Sequence, residues 1–191
     1  ATPEVTIDKT GDDLSKVGDE VVYNITVENT SVGSPPLECT VTDETLDYES
    51  DPFVLNTGES WDSGPIPYTV PDGAEGSVEN TAEVDCTFVG DTVVVASDSD
   101  GHSVELFEPA FSVTKTGDET SKVGDEVCYD ITLSNDSSAN TPALTCTAED
   151  DLLGPVFSGV LPLGDTALDP ICRTVQSDDP NPLINTVTLS C

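Results

Sequence analysis

Val21, Tyr23, Ile25 and Val27 alternate with Val22, Asn24, Thr26 and Glu28, so one face of this extended segment is apolar and the other mostly polar. A period of two predicts a half-buried strand. Shorter runs of the same kind predict strands at Val5 to Ile7, Leu37 to Val41, Tyr68 to Val70, Ala82 to Phe88 and Thr92 to Ala96. Gly, Pro, Asp and Asn turn residues separate them. No helical stripe interrupts the series, and about seven short strands per ~100 residues describe a two-sheet sandwich. The fold class expected is all-β.

The pattern occurs twice. Lys9-Thr10-Gly11-Asp12 matches Lys115-Thr116-Gly117-Asp118 at a shift of 106, and Ser15 through Val21 matches Ser121 through Val127. Tyr23, Ile25, Thr26 and Asn29 fall on Tyr129, Ile131, Thr132 and Asn135, giving 15 identities in the 25 positions from residue 5 to residue 29. Duplication accounts for such a match. Further on, Cys39 aligns with Cys146 in the frame Leu-x-Cys-Thr, and Asn80-Thr81 through Cys86 aligns with Asn185-Thr186 through Cys191. The expectation is two tandem β-sandwich domains, residues 1–107 and 108–191. Phe107-Glu108-Pro109 would be the short stiff linker that favours a rod over loosely jointed modules.

Charge changes the picture next. Five Lys plus Arg against 38 Asp plus Glu leave a formal net charge of −33, which repels nucleic acid and anionic lipid. The surplus reads as a solvated, self-repelling surface; Ca²⁺ binding through oxygen ligands and adaptation to high salt are the other two readings. No apolar window long enough for a membrane span is present, and the first residues lack a basic and apolar leader. The chain therefore reads as mature and soluble, without direct membrane insertion, any export signal or anchor lying outside it.

Six cysteines with a single His and no Cys-x-x-Cys pair do not suit zinc. An even count suits disulfides, hence an oxidising compartment and an extracellular or cell-surface location. The repeat alignment selects Cys39 with Cys86 and Cys146 with Cys191, and leaves Cys128 with Cys172 as a bridge of the second module alone. Free core thiols are the alternative.

The string Val-x-Lys-Thr-Gly-Asp-x-x-Ser-Lys-Val-Gly-Asp-x-Val-x-Tyr-x-Ile-Thr-x-x-Asn at Val113 to Asn135, with Asn-Thr-Ala-x-Val at Asn80 to Val84, resembles a conserved repeat domain of unknown function. That domain occurs in tandem in bacterial and archaeal surface proteins. Ser97 to Pro109 looks like the junction that joins such repeats. The resemblance implies an Ig-like sandwich, a surface or extracellular location, and a role as stalk, adhesin or filament. It implies no enzyme activity. One departure stands out: the first module runs on from Thr87 to Phe107 after Cys86, whereas the second has nothing after Cys191 to match it. The second sandwich is thus expected to lack its last strand or strands, and to receive them from further repeats of the chain or from a neighbouring copy.

Candidate chemistry is sparse. Asp98-Ser99-Asp100-Gly101 spaces two carboxylates and a glycine as some Ca²⁺ loops do, against the reading of an ordinary turn. No other cofactor is expected. Asn24, Asn29 and Asn135 each head a glycosylation sequon. His102 has no nucleophile partner in a recognisable frame and reads as a junction turn, and Trp61 reads as a cover over one edge of the first core. An internal Lys–Asn cross-link needs a lysine beside an asparagine and an acid in the core. Lys9, Lys16, Lys115 and Lys122 sit beside Gly-Asp turns, which argues against one. No phosphate loop, metal-protease motif or basic aromatic stripe occurs. The reading is a structural module of an extracellular stalk, fibre or filament, stacked end to end. An adhesin with an unidentified surface or matrix ligand and an accessory domain of a secreted enzyme are the alternatives.

Overall fold

Seventeen strands and no helix form among the described residues, 2–191, of the computed structural model. The chain divides into two compact units, Ala1–Leu106 and Phe107–Cys191.

The first unit contains β1 (Val5–Gly11), β2 (Leu14–Ser15), β3 (Glu20–Asn29), β4 (Leu37–Asp43), β5 (Tyr48–Glu49), β6 (Phe53–Leu55), β7 (Ser60–Asp62), β8 (Ile66–Thr69), β9 (Ser77–Phe88) and β10 (Val94–Leu106). One sheet has the order β1-β3-β7, with β8 on a further stretch of β3. The other has the order β2-β10-β9-β4-β5, with β6 also on β4. Alternate residues of both sheets meet in one core: Tyr23, Ile25 and Val27 from β3, Leu37 and Val41 from β4, and Val84 from β9 are sealed from solvent. Each such Val or Ile contributes about 1.5–3 kcal/mol through burial.

The second unit repeats the plan with β11 (Phe111–Gly117), β12 (Glu126–Asn135), β13 (Leu144–Asp150), β14 (Gly154–Leu161), β15 (Gly164–Ala167), β16 (Ile171–Thr174) and β17 (Val187–Ser190). Its sheets have the orders β11-β12-β15, with β16 on β12, and β14-β13-β17. The register is that of the first unit: Lys9 faces Ile25 across β1 and β3, and Lys115 faces Ile131 across β11 and β12. No strand takes the place of β10, so among the described residues β17 pairs with β13 alone.

Two readings of the sequence need correction. Ser97 to Leu106 is neither junction nor turn but most of β10, antiparallel to β9 from Val94 to Glu105. Its Ser, Asp and Gly content mimics a turn, but the ladder with β9 supplies the extended order, and Val104 and Leu106 anchor it in the core. The expected linker, moreover, belongs to the second unit. Glu108 and Ala110 donate their N–H groups to the Ser138 and Ser137 hydroxyls, and their carbonyls accept from the Ser138 and Asp136 N–H groups.

Candidate functional site

The repeated motif is explained residue by residue once the strands are paired. In Lys-Thr-Gly-Asp, the glycine lies opposite a tyrosine, and a Cβ on Gly11 or Gly117 would come within 2.7 Å of Tyr23 or 2.6 Å of Tyr129. Glycine is therefore the residue that lets the ring lie flat along the strand. The following aspartate accepts from the backbone of the next strand, Asp12 from Val22 N–H at 2.8 Å and Asp118 from Cys128 N–H at 3.1 Å. In Lys-Val-Gly-Asp, the Lys16 and Lys122 carbonyls close tight turns onto the Asp19 and Asp125 N–H groups. Gly18 and Gly124 supply the positive φ, 84° and 90°, that such turns need. Lys16 and Lys122 pair with those aspartates on the surface.

Lys9 and Lys115 are different. Both lie within strands, not turns, and point inward. Lys9 Nζ pairs with the Asp43 carboxylate, both side chains fully enclosed, and Lys115 Nζ pairs with the enclosed Asp150 carboxylate while keeping a small part of its side chain in solvent. Each ammonium also sits over a tyrosine ring, 4.7 Å from the Tyr23 centroid and 4.4 Å from that of Tyr129. Burial pushes Lys9 below its ordinary pKa, with Asp43 opposing the shift. At Asp150 burial acts to raise the pKa, but the Lys115 ammonium and the Leu152 and Leu153 N–H groups outweigh it and hold the carboxyl below its usual range.

By strand register, a buried asparagine lies on the acid's side of each pair. Thr42 pairs with Glu83, so Asn80 lies on the strand adjacent to Asp43, and its side chain is buried on the inward-facing series Val78, Asn80, Ala82 and Val84. Asp150 pairs with Val187, which places Asn185 two residues away on the same side. Neither amide atom of Asn80 or Asn185 reaches solvent or a hydrogen-bond partner. Burial also raises the Tyr23 hydroxyl's pKa, the Asn80 amide beside it opposing the shift, although no hydrogen bond forms between the two. The first unit thus holds an amine, an acid and an amide out of water, and the second holds the same three groups with Lys115 slightly exposed. The sequence reading missed this by assigning all four lysines to turns; the signal was present in the shared frames Lys-Thr-Gly and Asn-Thr and in the aligned Val-Thr-Asp and Ala-Glu-Asp.

Three disulfides are formed: Cys39–Cys86, Cys128–Cys172 and Cys146–Cys191. All join directly neighbouring strands of one sheet, with Cα atoms 4.0–4.1 Å apart, so none ties one sheet to the other. Cys128 and Cys172 occupy the outward positions that Val22 and Pro67 hold in the first unit.

The remaining candidates separate. Asp98 and Asp100 do not form a loop: they are alternate residues of β10, and each gives a carboxylate oxygen to a backbone N–H of β1, Ile7 at 3.1 Å and Lys9 at 2.8 Å. They act as a polar seam between β10 and β1. Asn29 and Asn135 are buried, and their amides are spent. The Asn29 side chain donates to the Leu55 carbonyl and accepts from Ser31 N–H, and the Asn135 side chain does the same with Leu161 and Ser137. These sequons are structural locks, not accessible acceptors. Asn24 is partly exposed and donates to Asp62 at 3.0 Å. His102 lies on β10, edge-on to Tyr23, with Nε2 3.0 Å from the Asp12 carbonyl oxygen, so it too is no junction turn. Trp61 stacks on Phe53 with ring centroids 4.4 Å apart.

Among the described residues no helix is long and apolar enough to cross a membrane. No family model, curated protein or solved structure matches the chain.

Proposed function

We propose that the chain is a structural module of an extracellular stalk, fibre or filament, assembled from copies of one Ig-like sandwich unit that complete one another by strand addition. The observation that carries this reading is the contrast at β17. In the first unit β10 runs along the whole of β9 and also lies against β1. In the second unit the equivalent edge of β17 has no neighbour among the described residues, and Phe111, on the strand equivalent to β1, is 41% exposed. An unpaired ladder beside partly exposed apolar side chains is a template for another strand. The three disulfides fit an extracellular or otherwise oxidising environment. They also fit a part that must hold its shape without cellular repair.

The test is a peptide with the sequence of Val94 to Leu106, added to the chain in high salt to screen the mutual repulsion of two acidic partners. Binding is expected to perturb and protect the backbone amides of Val187 to Ser190 and to raise the thermal transition of the second unit. Unchanged amides at those positions under saturating peptide would overturn the reading.

A further inference from the structure

We propose that each unit closes an internal amide bond between its buried lysine and asparagine, Lys9 to Asn80 in the first and Lys115 to Asn185 in the second, with Asp43 and Asp150 carrying the proton. Three observations carry this. First, the amine and the acid are already in contact in both units, fully enclosed in the first and with 11% of the Lys115 side chain in solvent in the second. A buried ion pair gains little over its neutral form, so transfer of one proton from Nζ to the carboxylate yields a free amine and a carboxylic acid at small cost. Second, among the described residues Asn80 and Asn185 are the side chains whose amide nitrogen and oxygen are both buried and both unbonded. An unsatisfied buried polar group costs about 1–3 kcal/mol, and two units sharing the same defect at aligned positions point to a use for it. Third, the cluster spans the two sheets. Lys9 and Lys115 lie in one sheet, while Asn80 lies in the other and Asn185 stands two residues before β17 of the other. The disulfides leave that gap uncrosslinked.

The step balances without an oxidant, metal or cofactor. The neutral Nζ attacks Cγ of the asparagine, and the aspartic acid protonates the amide as the tetrahedral intermediate forms and collapses. The Cγ–Nδ2 bond breaks, ammonia leaves, and a Lys–NH–CO–Asn amide remains, with the aspartate returned to its starting charge once the ammonia has taken up the spare proton. The asparagine rather than the aspartate is the acyl group because the set common to both units contains a single acid, which the proton transfers require. Asp100, beside Lys9, has no counterpart among the described residues of the second unit. Exclusion of water keeps the acid neutral during the reaction and protects the product amide from hydrolysis.

The experiment is intact-mass spectrometry of the whole chain after complete reduction of its disulfides, followed by tandem sequencing of proteolytic fragments. The expected mass lies below the sequence mass by two molecules of ammonia, with branched fragments joining Lys9 to Asn80 and Lys115 to Asn185. A mass equal to that of the sequence overturns the proposal. So does a loss of water with fragments joining Lys9 to Asp43, which would make the acid the acyl group. Loss of ammonia without a branched fragment, the mark of an asparagine cyclised on its own backbone, overturns it as well. The Asp43→Ala chain supplies an internal control: it should lose a single ammonia, retain the Lys115–Asn185 fragment, and yield Lys9 as an unbranched residue. A branched Lys9 in that variant would remove Asp43 from the reaction. These outcomes do not depend on whether the chain assembles into fibres.

Discussion

Lys9 and Lys115 sit in the same Lys-Thr-Gly-Asp frame, pair with equivalent acids and lie over equivalent tyrosines. The first is fully enclosed, while the second keeps 11% of its side chain in solvent. The same holds a few residues upstream, where Val5 is 5% exposed and its counterpart Phe111 is 41% exposed. The difference is β10. It covers β1 and gives the Ile7 and Lys9 N–H groups the carboxylates of Asp98 and Asp100, and no strand among the described residues does so for β11. Identical local sequence thus produces identical strands, turns and pairs, while depth of burial is set by what lies alongside. The second unit carries a further bridge, Cys128–Cys172, where the first has Val22 facing Pro67. Its smaller core is matched by a larger covalent contribution.

That comparison can be broken or sharpened experimentally. The largest effect is expected from complete reduction of the disulfides. The bridges have sequence separations of 44 to 47, and each contributes about 4 kcal/mol by limiting the unfolded chain. The second unit loses two and the first loses one, so residue-level hydrogen exchange after reduction should show far greater deprotection of β12, β13 and β17 than of β3, β4 and β9. Equal deprotection would mean that the smaller core does not depend on its extra bridge.

Asn29→Ala and Asn135→Ala come next. Each strands a buried carbonyl and a backbone N–H that the amide now satisfies, at a cost of about 2 kcal/mol by denaturant unfolding. The cost should be similar in the two units because the contacts are the same; a large disparity would show that the match of sequence does not carry over to energy. A smaller effect, about 1 kcal/mol for each substitution, is expected for Asp98→Ala and Asp100→Ala. It should fall on the first unit only, with faster exchange at the Ile7 and Lys9 amides and no change at Val113 or Lys115.

The smallest effect concerns acid. Asp62 is held below the usual carboxylate range by the Asn24 amide and the Gly64 N–H, and Asp179 by the Gln176 N–H and then the Arg173 guanidinium. In each case the folded state favours the ionised form, so any stabilisation is present above the unfolded pKa of about 3.9 and is lost as pH falls through the lower folded value. Carboxyl chemical shifts followed by NMR should show both groups titrating below the exposed carboxylates around them. A midpoint at or above the ordinary value for either would remove the hydrogen bonds assigned to it.

Much of the fold was legible because its signals are local. The alternation in Val21 to Glu28 requires only that one face of a strand be buried, and the two Gly-Asp turns require only a positive φ. The cysteine pairs follow from the repeat, since aligned residues on neighbouring strands face the same partners. What misled was composition read without partners. Ser-Asp-Ser-Asp-Gly has the residues of a turn, yet β9 beside it and the backbone donors of β1 make it a strand. Asn29-Thr30-Ser31 has the form of a glycan acceptor, yet its asparagine is consumed in holding the chain onto the Leu55 carbonyl. Lys9 stands two residues before Gly11 and was grouped with the turn; in the strand that spacing sends it to the core.

The sequence alone determined that the chain is built from extended segments, that one pattern occurs twice, and which cysteines correspond, because period, turn chemistry and duplication are properties of neighbouring residues along the chain. Only the tertiary structure decided that in each unit a lysine meets an acid more than thirty residues away, with a buried, unbonded asparagine on or just before the strand that neighbours the acid. Contact across a core depends on which faces are brought together, and no local pattern encodes that distance.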